Sequence, residues 1–121
     1  MKDNAFAQQA MREIVGGKFS SVVFGVFDHL NLEFDGPSFV AHNPVLLKTE
    51  DRVLRFGEPG FCDALCRQLG QVVSDVQISD EEMRIVFADQ SSFVMSLREV
   101  DYTGPEAGMY YSADKQMIVF K

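Results

Sequence analysis

Apolar residues recur at helical spacing in two short stretches and alternate at strand spacing over much of the rest. In Ala7–Gly16, AQQAMREIVG, the apolar positions are Ala7, Met11 and Val15; in Phe61–Gly70, FCDALCRQLG, they are Phe61, Leu65 and Leu69. Residues four apart share one face of a helix, so each stretch predicts a short amphipathic helix. Both stop at glycine, which tolerates the left-handed conformation at a helix end. Asp3 or Asn4 is placed to cap the first helix, and Pro59 suits the first turn of the second.

The strand-like segments repeat as well. GKFSSVVFGVFDHLNLEFDGPS from Gly17 aligns without gaps with GQVVSDVQISDEEMRIVFADQS from Gly70, an offset of 70 − 17 = 53. Gly17/Gly70, Ser21/Ser74, Val23/Val76, Phe34/Phe87 and Ser38/Ser91 are identical pairs. One residue later Phe39-Val40 matches Phe93-Val94, and further on Val45–Phe56 resembles Met109–Phe120 at an offset of 64. Each of these last segments is a pair of apolar runs around a polar turn, as in a β-hairpin. The pattern predicts a single α+β domain over residues 1–121, built as an internal repeat of 4–56 and 58–121. Each half is a helix, a three-strand antiparallel meander and a hairpin. Together they would form a sandwich or barrel-like sheet with two helices.

The alternation also predicts which faces are buried. Val72, Val76 and Ile78 form a dry face opposite Val73, Asp75, Gln77 and Ser79. In the first half, Phe19, Val23 and Phe27 alternate with Val22, Phe24 and Val26, so both faces are apolar. Met117/Val119 and Ile118/Phe120 repeat that property in the last hairpin. The C-terminal hairpin, a helix or a second subunit would cover such a face, and a homodimer is the expectation.

Charge narrows the partners. The chain carries a formal charge of −7 and a pI of about 4.7. An acidic surface repels phosphate backbones and accommodates a basic protein, so nucleic acid is not an expected partner. The longest apolar run, near VVFGVF, falls far short of a membrane span, and the first residues contain no export-signal pattern. A cytoplasmic location and no membrane partner are therefore expected.

Candidate chemistry is sparse. Cys62 and Cys66 share a helix face and read as small core residues; no disulfide framework or metal-ligand spacing accompanies them. His29 falls in a turn, and His42 precedes a proline-bounded turn where a carboxylate partner is conceivable. Asp80, Glu81 and Glu82 read as a solvated turn, as do Glu50 and Asp51. No enzyme, cofactor or metal motif is recognisable, so no cofactor is expected and a non-catalytic role is favoured. What the repeat does not require is the segment LREVDYTGPEA, Leu97–Ala107, where the offset rises from 54 to 64. Its Glu99, Asp101 and Glu106 supply carboxylates and its Tyr102 an amphipathic ring, a combination suited to holding Lys or Arg of a protein partner.

VFADQSSFVMSLREVDYTGPEA, Val86–Ala107, resembles a pattern in small acidic bacterial proteins of the toxin-immunity and integron-cassette accessory kind. In them a strand ending F-x-D is followed by another strand and an acidic D-Y-x-G-P-E-A-like turn. Here Gln90 stands where the F-x-D-G form has glycine. The resemblance covers about the last third of the chain and brings no catalytic residues. It implies a bacterial accessory protein that acts by protein–protein binding, immunity-like toward a basic partner. The alternative is a small-ligand-binding protein or minor enzyme with a pocket between the two halves.

Overall fold

A helix and five strands follow one another twice along the chain in the computed structural model, which describes residues 4–25 and 29–121. They are α1 (Asn4–Met11), β1 (Ser21–Phe24), β2 (Leu30–Glu33), β3 (Ser38–Ala41), β4 (Val45–Lys48) and β5 (Val53–Arg55). Then come α2 (Phe61–Cys66), β6 (Val73–Ile78), β7 (Glu82–Phe87), β8 (Ser92–Ser96), β9 (Gly108–Tyr111) and β10 (Met117–Phe120). The calls on Asp3, Val26 and Phe27 lie outside the described residues.

The strands form two five-stranded antiparallel sheets, ordered β1-β2-β3-β9-β10 and β5-β4-β8-β7-β6. Each meander is therefore completed by the hairpin from the other half of the chain. Phe39 of β3 lies opposite Tyr110 of β9, and Phe93 of β8 lies opposite Leu47 of β4. Both sheets are open, not closed into a barrel. Their inner residues merge into one core with Ala7, Met11, Phe61 and Leu65 of the helices. Phe19 centres one part of that core, its ring 5.6 Å from both Phe34 and Phe87. Phe39 meets Phe120 edge-on at 5.5 Å, and Phe56 stacks on Phe61 at 5.2 Å. Aromatic pairs at these spacings add to what area burial alone provides.

The approaches to β1 and β6 join the sheets. Lys18 and Val72 form an antiparallel bridge. Around it the Gly16 N–H donates to the Val73 carbonyl and the Gly70 N–H to the Phe19 carbonyl, both at 2.8 Å. The Phe19 N–H likewise donates to Gln71, and the Val73 N–H to Gly17, both at 2.9 Å. Gly16 and Gly70 have φ of 88° and 92°, a region costly for a side chain bearing Cβ. Each glycine turns its chain out of a helix into this junction.

Three burial expectations are corrected. Val73 is fully buried and Val72 exposed, because a bulge between Val73 and Asp75 shifts the alternation by one residue. In β1 it is Val22 that packs against the core, whereas Val23 and Phe24 are exposed. Val15 and Leu69 are exposed as well. Beyond Met11 the chain tightens into a 3-10 turn, Arg12–Ile14, which carries Ile14 inward in place of Val15. α2 stops at Cys66, and Gln68 is the buried residue there. Pro59 lies ahead of α2, whose first residue is Phe61.

α1 covers an open sheet edge. The Ile78 N–H donates to Gln8 Oε1 at 2.7 Å, and Gln8 Nε2 donates to the Val76 carbonyl. One side chain thereby satisfies a donor and an acceptor of β6 that would otherwise invite another strand.

Gly108 shows how closely β9 approaches β3. A Cβ there would stand 2.6 Å from the Val40 carbonyl oxygen and 3.1 Å from Met95 Sδ. Gly104, in the segment before β9, has nothing within 4 Å of that position. Gly108→Ala is expected to cost about 1–3 kcal/mol in urea unfolding, and Gly104→Ala less than about 0.5 kcal/mol. Equal effects would show that β9 does not sit against β3 as described.

Candidate functional site

The chain passes from one sheet to the other twice after the junction at Lys18, and the two crossings lie side by side. The first, residues 42–44, leads from β3 to β4; the second, residues 97–107, leads from β8 to β9. The His42 and Asn43 N–H groups both donate to the Ala107 carbonyl at 2.9 Å, and the Ser96 N–H donates to the Pro44 carbonyl at 3.1 Å. Thr103 Oγ1 reaches the His42 carbonyl at 3.4 Å. A short crossing and a long one are thus stitched together.

The surplus length of the second crossing walls a cleft of about 670 Å³. Its base is the outer face of the second sheet, where Leu46 and Val94 are paired in register. Asn43 and Pro44 line one side, Ser96, Arg98 and Asp101 another, and Arg55, Phe56, Glu81 and Glu82 reach it from the neighbouring strand ends. An apolar base with converging polar groups is the usual form of a ligand site.

Ser96 organises the polar wall. Asn43 Nδ2 donates to the Ser96 carbonyl at 2.8 Å, and Ser96 Oγ donates to Asp101 Oδ2 at 2.6 Å. The first bond fixes which way the Asn43 amide points, so that Oδ1 faces away from Ser96. Asn43 is 3% exposed, and its Oδ1 has no hydrogen-bond partner among the described residues. A buried carbonyl oxygen without a donor is costly. Glu82 is already paired with Arg84 at 2.8 Å, and Arg55 lies 3.8 Å from Glu58. Among the described residues Glu81, Arg98 and Asp101 take part in no ion pair.

The four residues singled out in the sequence do not form one face. Glu99 and Asp101 belong to a 3-10 turn, Glu99–Asp101, with Glu99 exposed and Asp101 in the cleft wall. Tyr102 packs against the core, and burial first, then the charge of Glu99, raises its phenol above the ordinary value. Glu106 is half-buried and lies outside the cleft lining. Asn43 and Ser96 carry no motif. Their only signal is that they adjoin the two places where the chain changes sheets. The His42 ring stands 5.4 Å from that of His29, where a carboxylate was conceivable.

Cys62 and Cys66 are free and exposed, a correction to their reading as core residues. α2 turns Phe61 and Leu65 inward, and this places the cysteines on the outer side. Replacing both by Ser is expected to change stability by less than about 0.5 kcal/mol. Both thiols should react with a thiol reagent in the native protein, counted by mass spectrometry.

A second cavity, of about 680 Å³, lies between α1 and the β9–β10 turn, with Phe6, Glu13 and Ile118 in its lining. Glu13 Oε1 accepts there from the Ala113 N–H at 2.7 Å. Close by, the fully buried Tyr110 hydroxyl has no hydrogen bond of ordinary geometry among the described residues, and the Glu13 carboxylate is the acid that acts on it most. Burial first and then the charge of Glu13 push its phenol well above the ordinary value of 10.0. The folded chain keeps that proton where the unfolded chain releases it, so stability falls as pH rises past about 10. Tyr110→Phe is expected to be neutral or stabilising by up to ~1 kcal/mol near pH 7, and to flatten the alkaline loss in urea unfolding.

No family model, curated protein or solved structure matches the chain.

Proposed function

We propose that the chain is a non-catalytic binding protein that docks a basic protein partner at the cleft between the sheet crossings. This is the immunity-like, bacterial accessory role implied by the resemblance of Val86–Ala107. The cleft carries the reading: among the described residues the Glu81 and Asp101 carboxylates in its lining take part in no ion pair, so a cationic group would find partners there. The net charge of −7 supports a cationic partner, drawn in by long-range attraction. A cytoplasmic location belongs to the same proposal; among the described residues no helix is long and apolar enough to cross a membrane.

The homodimer is proposed on a separate surface. Val23 and Phe24 are exposed on β1, an open edge of the first sheet. Light scattering at high micromolar concentration is expected to give twice the chain mass, and a monomer mass would remove this proposal.

The duplication is proposed in a more specific form, with the hairpins exchanged between copies. Three observations support it. The two sheets have equivalent strand orders, β1-β2-β3 with β9-β10 and β6-β7-β8 with β4-β5. The bonds around the Lys18–Val72 bridge occur in matched pairs, with Gly16 corresponding to Gly70 and Phe19 to Val73. The bonds at the crossings match in the same sense, with His42 corresponding to Ser96 and Ala107 to Pro44. Under this reading the first-strand correspondence is 54 residues, not 53, with Val22 equivalent to Val76. Fragments 1–57 and 58–121 are expected to be unfolded separately and to reassemble when mixed, followed by circular dichroism. Independent cooperative unfolding of either fragment would count against exchange.

For the main proposal, an arginine-rich peptide is expected to bind, with an affinity that falls severalfold as salt rises from about 0.05 to 0.5 M. Calorimetry that shows no binding at the lower salt would remove the basic-partner reading.

A further inference from the structure

We infer that β1 pairs antiparallel with β1 of a second copy about a two-fold axis at Val23, so that the first sheets of the two copies run on as one. This rests on the homodimer reading and gives it a strand, a register and a symmetry.

The pairing within the chain shows what β1 leaves free. The Gly25 N–H donates to the His29 carbonyl at 2.7 Å, and the same register sets Val23 opposite Asn31 and Ser21 opposite Glu33. Hydrogen-bonded pairs alternate along an antiparallel ladder, so Ser21, Val23 and Gly25 turn their backbone groups toward β2. Val22 and Phe24 turn theirs to the outer edge, where no strand among the described residues pairs with them.

The other sheet edges are occupied or defended. Gln8 occupies that of β6. β5 is only three residues long, with the exposed Arg55 on it and the exposed Arg52 ahead of it. β10 is bracketed by the exposed Lys115 and Lys121. Covering an edge and placing cations on it are the usual means of keeping other strands away. β1 has neither, since no charged residue occurs from Phe19 to Phe27.

Two features favour a second copy of this chain as the occupant. Molecules that each carry −7 repel one another, so they approach most easily along an uncharged edge. β1 also complements itself. With the axis at Val23, Val22 of each copy faces Phe24 of the other as a hydrogen-bonded pair, and the two Val23 side chains meet directly across the axis. Val23 is 51% exposed and Phe24 36%, and this register covers both. An axis at Val22 would instead set Val23 against Ser21 and Phe24 against Ser20. The Phe24 ring is already braced, edge-on to Phe56 at 6.2 Å, so little side-chain freedom is lost on pairing.

The test uses the full chain with Cys62 and Cys66 replaced by Ser, and follows its mass by light scattering up to high micromolar concentration. Val23→Lys sets like charges against each other across the axis and should weaken self-association at least about tenfold. Its melting temperature in dilute solution should stay unchanged. Met117→Lys, at a 55% exposed position on β10, should leave self-association as it was. Under mild oxidation Val23→Cys should give a disulfide-linked dimer, because Cβ atoms in such a directly opposed pair lie about 4.5–5.5 Å apart. Ser21→Cys, which faces Gly25 in this register, should not. Amide exchange should slow at Val22 and Phe24 as concentration rises, and stay constant at Ser21 and Val23, which β2 already protects. If Val23→Lys lowers the melting temperature, the cysteine and exchange results decide. A dimer that gives no disulfide through Val23→Cys and no added protection at Val22 and Phe24 overturns this inference and leaves the homodimer reading standing. So does a dimer that Met117→Lys dissociates and Val23→Lys does not. A monomer mass at every concentration removes both.

Discussion

Everything in this fold depends on the chain crossing between its sheets in two adjacent places. A three-strand meander has two edges of unpaired backbone groups, and each edge is open to pairing with a further strand. Here β9 completes the meander of the first half and β4 that of the second. That arrangement requires the chain to leave β3 for the other sheet at His42–Pro44, and to leave β8 at Leu97. The hydrogen bonds from His42 and Asn43 to Ala107, and from Ser96 to Pro44, are the price of that traffic repaid in backbone pairing.

The opposite end of the molecule obeys the same constraint by different means. The junction around Lys18 and Val72 holds the starts of β1 and β6 together through reciprocal backbone bonds. Left-handed glycines at Gly16 and Gly70 allow the chain to enter it directly from each helix. Between the junction and the crossings lies the phenylalanine-rich core, to which both sheets and both helices contribute. A single core therefore joins the first and second parts of the chain.

The cleft follows from an asymmetry in this scheme. One crossing is only as long as the geometry requires; the other runs from Leu97 to Ala107 and folds back as a 3-10 turn over the outer face of the second sheet. Where the two meet, Ser96 serves both the Asn43 amide and the Asp101 carboxylate. Backbone needs place these residues together, and the surplus chain adds the wall that makes a cavity of the juncture. The crossing leaves Asn43 Oδ1 buried there without a partner among the described residues.

Local pattern determined the element inventory. Apolar spacing in Ala7–Gly16 and Phe61–Gly70 identified two helices, which stop at Met11 and Cys66 ahead of those glycines, and alternation with polar turns identified the meanders and hairpins. It also located the extra segment between β8 and β9, because a length difference is visible without a structure. The pattern was least dependable in phase. Val72 and Val73 exchange roles through one bulge, and Val15 and Ile14 through a switch from α to 3-10 winding. Such one-residue shifts depend on pairing with distant segments. Cys62 and Cys66 were misplaced for a related reason: four-residue spacing shows that they share a face, while only the packing of Phe61 and Leu65 decides which face. Which hairpin completes which sheet was beyond local reading, since either partner satisfies the same backbone groups. The tertiary structure alone brought Asn43 to Ser96 and Asp101, because hydrogen bonds between residues 53 positions apart in the chain leave no periodic trace in it.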